Sequence, residues 1–411
     1  MISAATPRTA GGSPSREQVT PARRWAMLGV STAAQASSAA MVHGPAFLIP
    51  VLHNRAGMSL PEAGLVAAAP MAGLMCTLIL WGLVVDRRGE RFAMLSGLTA
   101  VTAGGVAAAQ LDGVWPMGAA LFAAGAASGA TNAASGRVVV GWFPPDRRGL
   151  AMGVRQCAQP IGVGVGALTM AVIAERSGVQ AALWVPVGLA ALSLALVALV
   201  LADPPRPPAR EAGPAPSPYR ADAYLARVHA TSAMLVVPQF VVWTFGLTWL
   251  VEDLGWAAGL AGLVVALTQL LGAAGRIAAG YLSDTVASRM RPMRWIAGAA
   301  AATMLALGAV SVLPGMAAAV VAVTLLVVAS TVTVADNGLA YTAVAERAGP
   351  FWSGRSLGVQ NTSQYLVAAL VPPLAGVVIA EWGYGAAFAV AGLLPLVAVA
   401  VAPVADEHQV S

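Results

Sequence analysis

The stretch WGLVVDRRGER, residues 81–91, begins as apolar helix and ends in five charges, Asp86, Arg87, Arg88, Glu90 and Arg91, packed around Gly89. Such a switch marks a chain leaving a bilayer core and turning sharply, because charge is costly in hydrocarbon and glycine turns without a steric penalty. Outward from this stretch the same contrast recurs along all 411 residues: 58% are hydrophobic, only 10% are charged, and mean hydropathy is +0.74. These values belong to a polytopic membrane protein. The first long apolar run, 25–52, exceeds the short apolar core of a signal peptide, so no secretory processing is expected.

All 23 basic residues are arginine. They come in short bursts between apolar runs, which argues against a nucleic-acid partner and for loops that follow the positive-inside rule. Counted on alternate sides of a twelve-helix reading, 17 arginines share one side with both chain ends and the linker, whereas Arg55 and Arg176 alone lie opposite. Arg137, Arg155, Arg276 and Arg355 fall within or at the ends of helices. The expected location is the cytoplasmic membrane, the inner membrane of the cell, crossed many times with both termini cytoplasmic. Cys76 and Cys157 sit inside apolar runs, so neither a disulfide framework nor a metal or other cofactor is expected.

Apolar runs set against charge bursts predict helices near 25–52, 61–85, 92–111, 116–142, 149–174 and 181–202, then 225–250, 258–283, 293–313, 317–345, 355–380 and 385–403. The expected class is all-α, with twelve transmembrane helices in two six-helix bundles. Between the sets, DPPRPPAREAGPAPSP (203–218) carries seven prolines and favours an extended linker. The expected organisation is a disordered tail 1–24, a bundle 25–202, a linker 203–224, a second bundle 225–403 and a short tail 404–411. The halves echo each other. GLVVDRRGER (82–91) aligns with GYLSDTVASR (280–289), pairing Gly82 with Gly280, Asp86 with Asp284 and Arg91 with Arg289 at an offset of 198. GVRQCAQ (153–159) aligns with GVQNTSQ (358–364) at an offset of 205, which also places Asn132 on Asn337. A duplicated six-helix unit follows, and such repeats hold solute sites between them near the midplane.

The pattern G-x-x-x-D-R-x-G-x-R, carried by Gly82, Asp86, Arg87, Gly89 and Arg91, resembles the signature loop of the major facilitator superfamily, and the resemblance extends over nearly the whole chain. It implies a carrier, and it implies that the cluster is a cytoplasmic latch that forms when the carrier faces outward and breaks when it faces inward. The plainer reading is an anchor that only fixes topology, although a topology signal needs neither Asp86 nor Gly89. The second copy keeps Gly280, Asp284 and Arg289 but lacks the arginine after the aspartate and the glycine at the turn. Two other family patterns are incomplete. MGAALFAAGAAS in helix four lacks the arginine many members carry there, and QPIGVGVG (159–166) only partly resembles the Gly-Pro pattern of drug and proton antiporters. Gly162, Gly164 and Gly166 are read as helix-packing residues.

Polar side chains inside apolar helices are the candidate cavity. Asp336 lies about ten residues, roughly 15 Å, from the charge at Glu346, too deep to snorkel. It is a candidate for proton coupling or for pairing with a buried arginine, against the alternative of a static interhelical hydrogen bond. Arg276, in GRIAAGYLSD, resembles an arginine of helix eight in carriers of small organic anions, and Gln269 shares its face. Arg137 and Arg155 are candidates for substrate contact or for snorkelling to the cytoplasmic boundary. Gln156, Gln159, Asn361 and Gln364 fall at equivalent repeat positions, suited either to solute or to interhelical bonding. Gln35, His43, Asn132, Gln239, Trp243, Asn337 and Tyr341 complete the set.

With more embedded arginines than carboxylates, the favoured function is secondary active transport of a small organic anion such as a carboxylate, a symporter working by alternating access with the solute bound between the halves and a proton or ion gradient driving it. A proton-coupled multidrug exporter and a non-transporting membrane sensor are the alternatives; the sensor would call for a signalling domain or long tail. No HExxH, GxSxG or P-loop motif suggests an enzyme. The expected partners are a small-molecule substrate and the lipid bilayer, with the chain acting as a monomer.

Overall fold

Thr20 accepts a hydrogen bond from the Arg23 amide at 3.4 Å and Pro21 occupies the first turn, so the first helix starts at Pro21, a little ahead of the expected residue 25. The computed structural model describes residues 19–205 and 216–407. Most of the expected N-terminal tail, the middle of the linker and the last four residues lie outside the described residues.

Helix α1 (Pro21–His43) continues through a 3-10 turn (Gly44–Leu48) into a short helix (Ile49–Asn54). A capping box between Ser59 and Glu62 opens α2 (Leu60–Arg88), and Gly89, at φ +99°, separates it from α3 (Glu90–Ala108). Then come α4 (Val114–Trp142), α5 (Arg148–Gln156 and Ala158–Ser177) and α6 (Val179–Val200). In the second half, α7 (Tyr224–Thr248) runs into a π turn at Trp249–Asp253, followed by α8 (Ala258–Thr285) and α9 (Met290–Ser311). Helix α10 is broken into Met316–Val332 and Asn337–Ala348. The stretch Ser353–Val401 holds two helices that meet at Gly383, φ +80°, giving α11 (353–382) and α12 (384–401). Among the described residues no strand occurs, and nine helical stretches, the last being α11 and α12 together, are long and apolar enough to cross a membrane by length and composition. Helices α1 and α4 fall outside that set; they carry Ser, Gln, Thr and Gly in place of leucine and are buried along much of their length.

The apolar cores are arranged unevenly. One cluster joins the halves, with Val85, Met152 and Trp142 packed in the same group as Met290, Leu339 and Leu357. Two others stay within one half each, around Met41, Leu121 and Leu183 and around Trp249, Met304 and Phe388, and a small fourth one of Val42, Leu74 and Leu78 has Tyr365 of the second half packed against it. The shared core lies at the arginine-rich ends of the helices, so the halves close against each other there and keep separate cores toward the opposite side.

Close approach at the shared end depends on small residues, as expected where lipid removes the hydrophobic drive for helices to associate. Gly82 of α2 backs onto Gly354 of α11, and Gly280 of α8 onto Gly149 of α5; a Cβ on any of the four would strike backbone across the interface. The echo between 82 and 280 is thus a repeated contact. The turn after each is repeated too. Ala287 stands 198 residues after Gly89 and adopts φ +51°, the one positive-φ residue other than glycine among the described residues. The linker and tail are tethered rather than loose where described: Asp203 accepts from the Arg91 amide at 2.8 Å, and Glu407 from the Arg289 amide at 2.5 Å, so each half ends on a carboxylate capping its own third helix.

Since the left-handed conformation costs an L-residue roughly 1–2 kcal/mol, Ala287→Gly should raise the thermal midpoint of the detergent-purified protein. Gly89→Ala should lower it by more than backbone strain alone, because the new Cβ would lie 2.8 Å from the Asp203 carboxylate. Melting curves of the two variants against the parent check both signs.

Candidate functional site

Two carboxylates stand at the shared end, and each reaches across to the other half. Asp86, at the end of α2, accepts from the Gly354 amide at 2.8 Å, the Arg355 amide at 3.1 Å and Arg355 Nε at 2.9 Å. Asp284, at the end of α8, accepts from the Gly149 amide at 2.9 Å and the Leu150 amide at 2.8 Å. In both cases a carboxylate caps the bare N-terminus of a helix from the opposite half, satisfying orphan N–H groups and facing the positive end of the helix dipole. Arginines complete each cluster. Arg137 pairs with Asp86 at 3.1 Å and Glu90 at 2.7 Å and donates to the Pro350 carbonyl. Arg289 pairs with Asp284 at 2.5 Å and donates to the Pro145 carbonyl at 2.6 Å, while Arg148 bridges to Glu346 at 3.2 Å. Pro145 and Pro350 are themselves 205 residues apart, so the repeat extends to the arginine acceptors.

This corrects the sequence expectation for several residues. Arg137 belongs to the inter-half charge cluster and not to the cavity, because two buried carboxylates hold its guanidinium at the membrane boundary. Arg91 bonds the Ala198 carbonyl at 2.6 Å within its own half, and Arg87 is exposed, so neither meets the opposite half. Gly89 packs against Asp203 of the linker. Glu90 belongs to the opening charge cluster, whereas Arg148, Glu346 and Arg355 carry no gate assignment from the sequence; their signal is charge at a helix start or end.

Above the charge clusters lies a narrow polar cavity of about 40 Å³ between the halves. Eleven expected residues line it: Gln35, Asn132, Arg155, Gln156, Gln159, Gln239, Arg276, Asn337, Tyr341, Asn361 and Gln364. Phe240, Tyr365, Val236 and Ala368 line it as well; the first two are sequence neighbours of Gln239 and Gln364. The amides are paired by the repeat. Gln35 donates to Asn132 at 3.2 Å in one half, and Asn337 donates to Gln239 at 3.2 Å in the other. Tyr341 donates toward Asn361 at 2.5 Å and Gln364 at 2.8 Å. No Asp or Glu lines the cavity among the described residues.

The two arginines are held by neutral groups. Arg155, 1% exposed, donates to Ser135 Oγ at 3.0 Å, the Asn132 carbonyl at 2.8 Å and the Gln156 side chain, and lies over the Tyr341 ring at 5.1 Å. Arg276, 4% exposed, donates to the Gln156 carbonyl at 3.2 Å across the halves and to the Val334 carbonyl at 3.4 Å in the α10 break. Neither forms a salt bridge with a carboxylate among the described residues, although Asp336 is near enough to Arg276 for the two charges to attract.

Asp336, His43, Gln269 and Trp243 do not line this cavity. Trp243 stands one ring behind it, tilted at 45° to Phe240 with ring centroids 5.6 Å apart, and His43 lies eight residues past Gln35 where α1 tightens into the 3-10 turn. Gln269 is two helical turns from Arg276 along α8, so a shared face does not bring it to the same depth. Asp336 sits at the α10 break, 1% exposed, with neither carboxyl oxygen hydrogen-bonded. The repeat explains its isolation. Its counterpart Thr131 donates to Ser38 of α1 at 2.9 Å, whereas the offset that carries Gln35 to Gln239 carries Ser38 to Val242, an apolar residue. Of the glycines in α5, Gly162 allows contact with the α1 backbone and Gly166 faces Gly44, while Gly164 faces open space and is not a packing residue.

Comparison with known proteins adds the following. The sequence model of the Major Facilitator Superfamily matches residues 29–372. An uncharacterized MFS-type transporter of Mycobacterium tuberculosis is 46% identical over 392 residues, spanning 95% of this chain and 87% of that protein. The solved proton:xylose symporter XylE superposes with a TM-score of 0.73 at 15% identity, covering 93% of this chain and 95% of that one. The human organic anion transporter MFSD10 superposes with a TM-score of 0.70 at 18% identity, covering 93% and 100%.

Removing either capping carboxylate leaves helix N–H groups of the opposite half unsatisfied, at about 1.5–3 kcal/mol for a charge-assisted bond. Ser353→Cys, buried at this end, should therefore label slowly with a membrane-impermeant maleimide in a background lacking Cys76 and Cys157, and several-fold faster once Asp86→Ala or Asp284→Ala is added. Equal labelling rates would mean that the caps do not hold the halves together.

Proposed function

This chain belongs to the major facilitator superfamily, and on that premise we propose that it carries a small organic anion across the cytoplasmic membrane by alternating access, coupled to protons through Asp336. The observation that carries the reading is a cavity between the halves lined by two arginines, neither salt-bridged to a carboxylate, and by eight amide side chains. Buried cations of this kind call for a compensating anion, and amides supply donors and acceptors to its remaining oxygens. The fold likeness spans a sugar symporter and an organic anion transporter, so the choice rests on the cavity chemistry. A lipophilic drug would leave those polar groups unsatisfied, which weighs against an exporter of that type.

In this mechanism the anion enters from the side where the halves keep separate cores and is drawn to Arg155 and Arg276. The amide pairs Gln35–Asn132 and Gln239–Asn337 open to receive it. Asp336, whose oxygens lack donors, is the group whose charge depends on what the cavity holds, because a buried carboxylate needs hydrogen bonds that nothing here supplies. Arg276 is the side chain able to exchange its carbonyl acceptors for the solute or for Asp336. Release to the cytoplasm follows when the Asp86 and Asp284 caps part and the shared core separates.

A thermal-shift screen of the purified chain against organic acids, sugars, nucleosides and cationic drugs should find stabilisation by organic anions. In proteoliposomes the same anions should move protons; Asp336→Asn should abolish proton movement while keeping binding, and Arg276→Ala should weaken binding by about tenfold or more. Stabilisation by cationic drugs with none from anions overturns the reading.

A further inference from the structure

We infer that the solute is a short dicarboxylate that spans the cavity, one carboxylate on Arg155 of the first half and the other on Arg276 of the second. The inference rests on the organic-anion reading and narrows it.

The charges have been added to the repeat one per half. At the repeat offsets Arg155 corresponds to Gln360 and Arg276 to Leu78, so neither arginine has a charged counterpart. Gln360 turns away from the cavity, accepting from His229 at 2.5 Å and donating to Ser232 at 2.7 Å, and Leu78 is buried in apolar packing. Each half thus presents one cation to a cavity whose remaining frame is neutral and symmetric.

Gln156 measures the gap between them. Its side-chain oxygen accepts from Arg155 and its backbone carbonyl accepts from Arg276 at 3.2 Å, so the two guanidinium groups are separated by little more than one glutamine residue. Both are almost wholly buried and both retain N–H groups beyond those engaged by neutral acceptors. The Tyr341 ring under Arg155 fixes the direction of that guanidinium.

The balance of charge separates a dianion from a monoanion. While Asp336 is protonated, a monocarboxylate neutralises one arginine and leaves the other buried with only carbonyl and amide acceptors. Two carboxylates joined by a short chain neutralise both and add a bridge between the halves beside the Arg276–Gln156 bond. Two anionic groups on two separate residues also fit a dicarboxylate better than a single compact ion such as phosphate.

The test uses the full-length detergent-purified protein with malonate, succinate, glutarate and adipate against acetate, butyrate and inorganic phosphate, read by thermal shift and by equilibrium titration. The expected result is an optimum at one short dicarboxylate, bound about tenfold or more tighter than the monocarboxylate of equal chain length. Arg155→Gln and Arg276→Gln should each erase that preference, while Arg155→Lys keeps part of it; unliganded melting curves identify any variant that fails to fold. Butyrate binding as tightly as succinate overturns the dicarboxylate inference and leaves the anion reading standing. Phosphate binding tighter than every dicarboxylate overturns it in favour of one compact dianion. Binding of no anion, with sugars or cations binding instead, overturns both.

Discussion

A carboxylate at the end of one helix meeting the uncapped N-terminus of a helix from the other half is the contact on which the closed end depends. Asp86 does this for α11 and Asp284 for α5. A helix N-terminus buried in an interface carries amides with no intrahelical acceptor, and leaving them bare is costly. The acceptor is supplied by the partner half, so a local requirement of helix geometry becomes a bond between bundles. The glycine contacts 82–354 and 149–280 follow from it, since the carboxylate reaches those amides only when the backbones touch. The bond is also reversible: in a parted state water can take over both the amides and the carboxylates.

Deeper in the bundle the duplicated unit supplies a neutral frame, and departures from duplication supply the chemistry. Gln35–Asn132 and Gln239–Asn337 are the same pair built twice. Arg155, Arg276 and Asp336 occur in one copy each. Where the first half bonds Thr131 to Ser38, the equivalent positions of the second are Asp336 and Val242, and Val242 has no hydroxyl to offer a carboxyl that is left buried without donors. The backbone frame is thus symmetric while its charges are not.

Much of this was legible in the residues. The change from apolar run to charge cluster at 81–91 and its echo at 280–289 located the reciprocal contacts, because a spanning helix must end where charge begins and a duplicated unit repeats its contacts. Polar residues embedded in apolar helices picked out most of the cavity, since bilayer depth leaves them few places to face except inward. Failures came where depth and rotation decide the outcome. Arg137 and Arg155 read alike in sequence, yet one is taken by Asp86 and Glu90 and the other faces the cavity. Gln269 shares a helix face with Arg276 but lies two turns away.

The sequence by itself determined that the chain spans a bilayer many times, that it is built from a repeated half, and that its arginine-rich loops gather at one end, because hydropathy, periodicity and charge bias are properties of residues in order. Tertiary structure alone decided which charges are paired and which stay free. That depends on which helix of one half abuts which helix of the other, so Asp86 pairs across the halves with Arg355, 269 residues further along the chain, and no local pattern encodes such a distance.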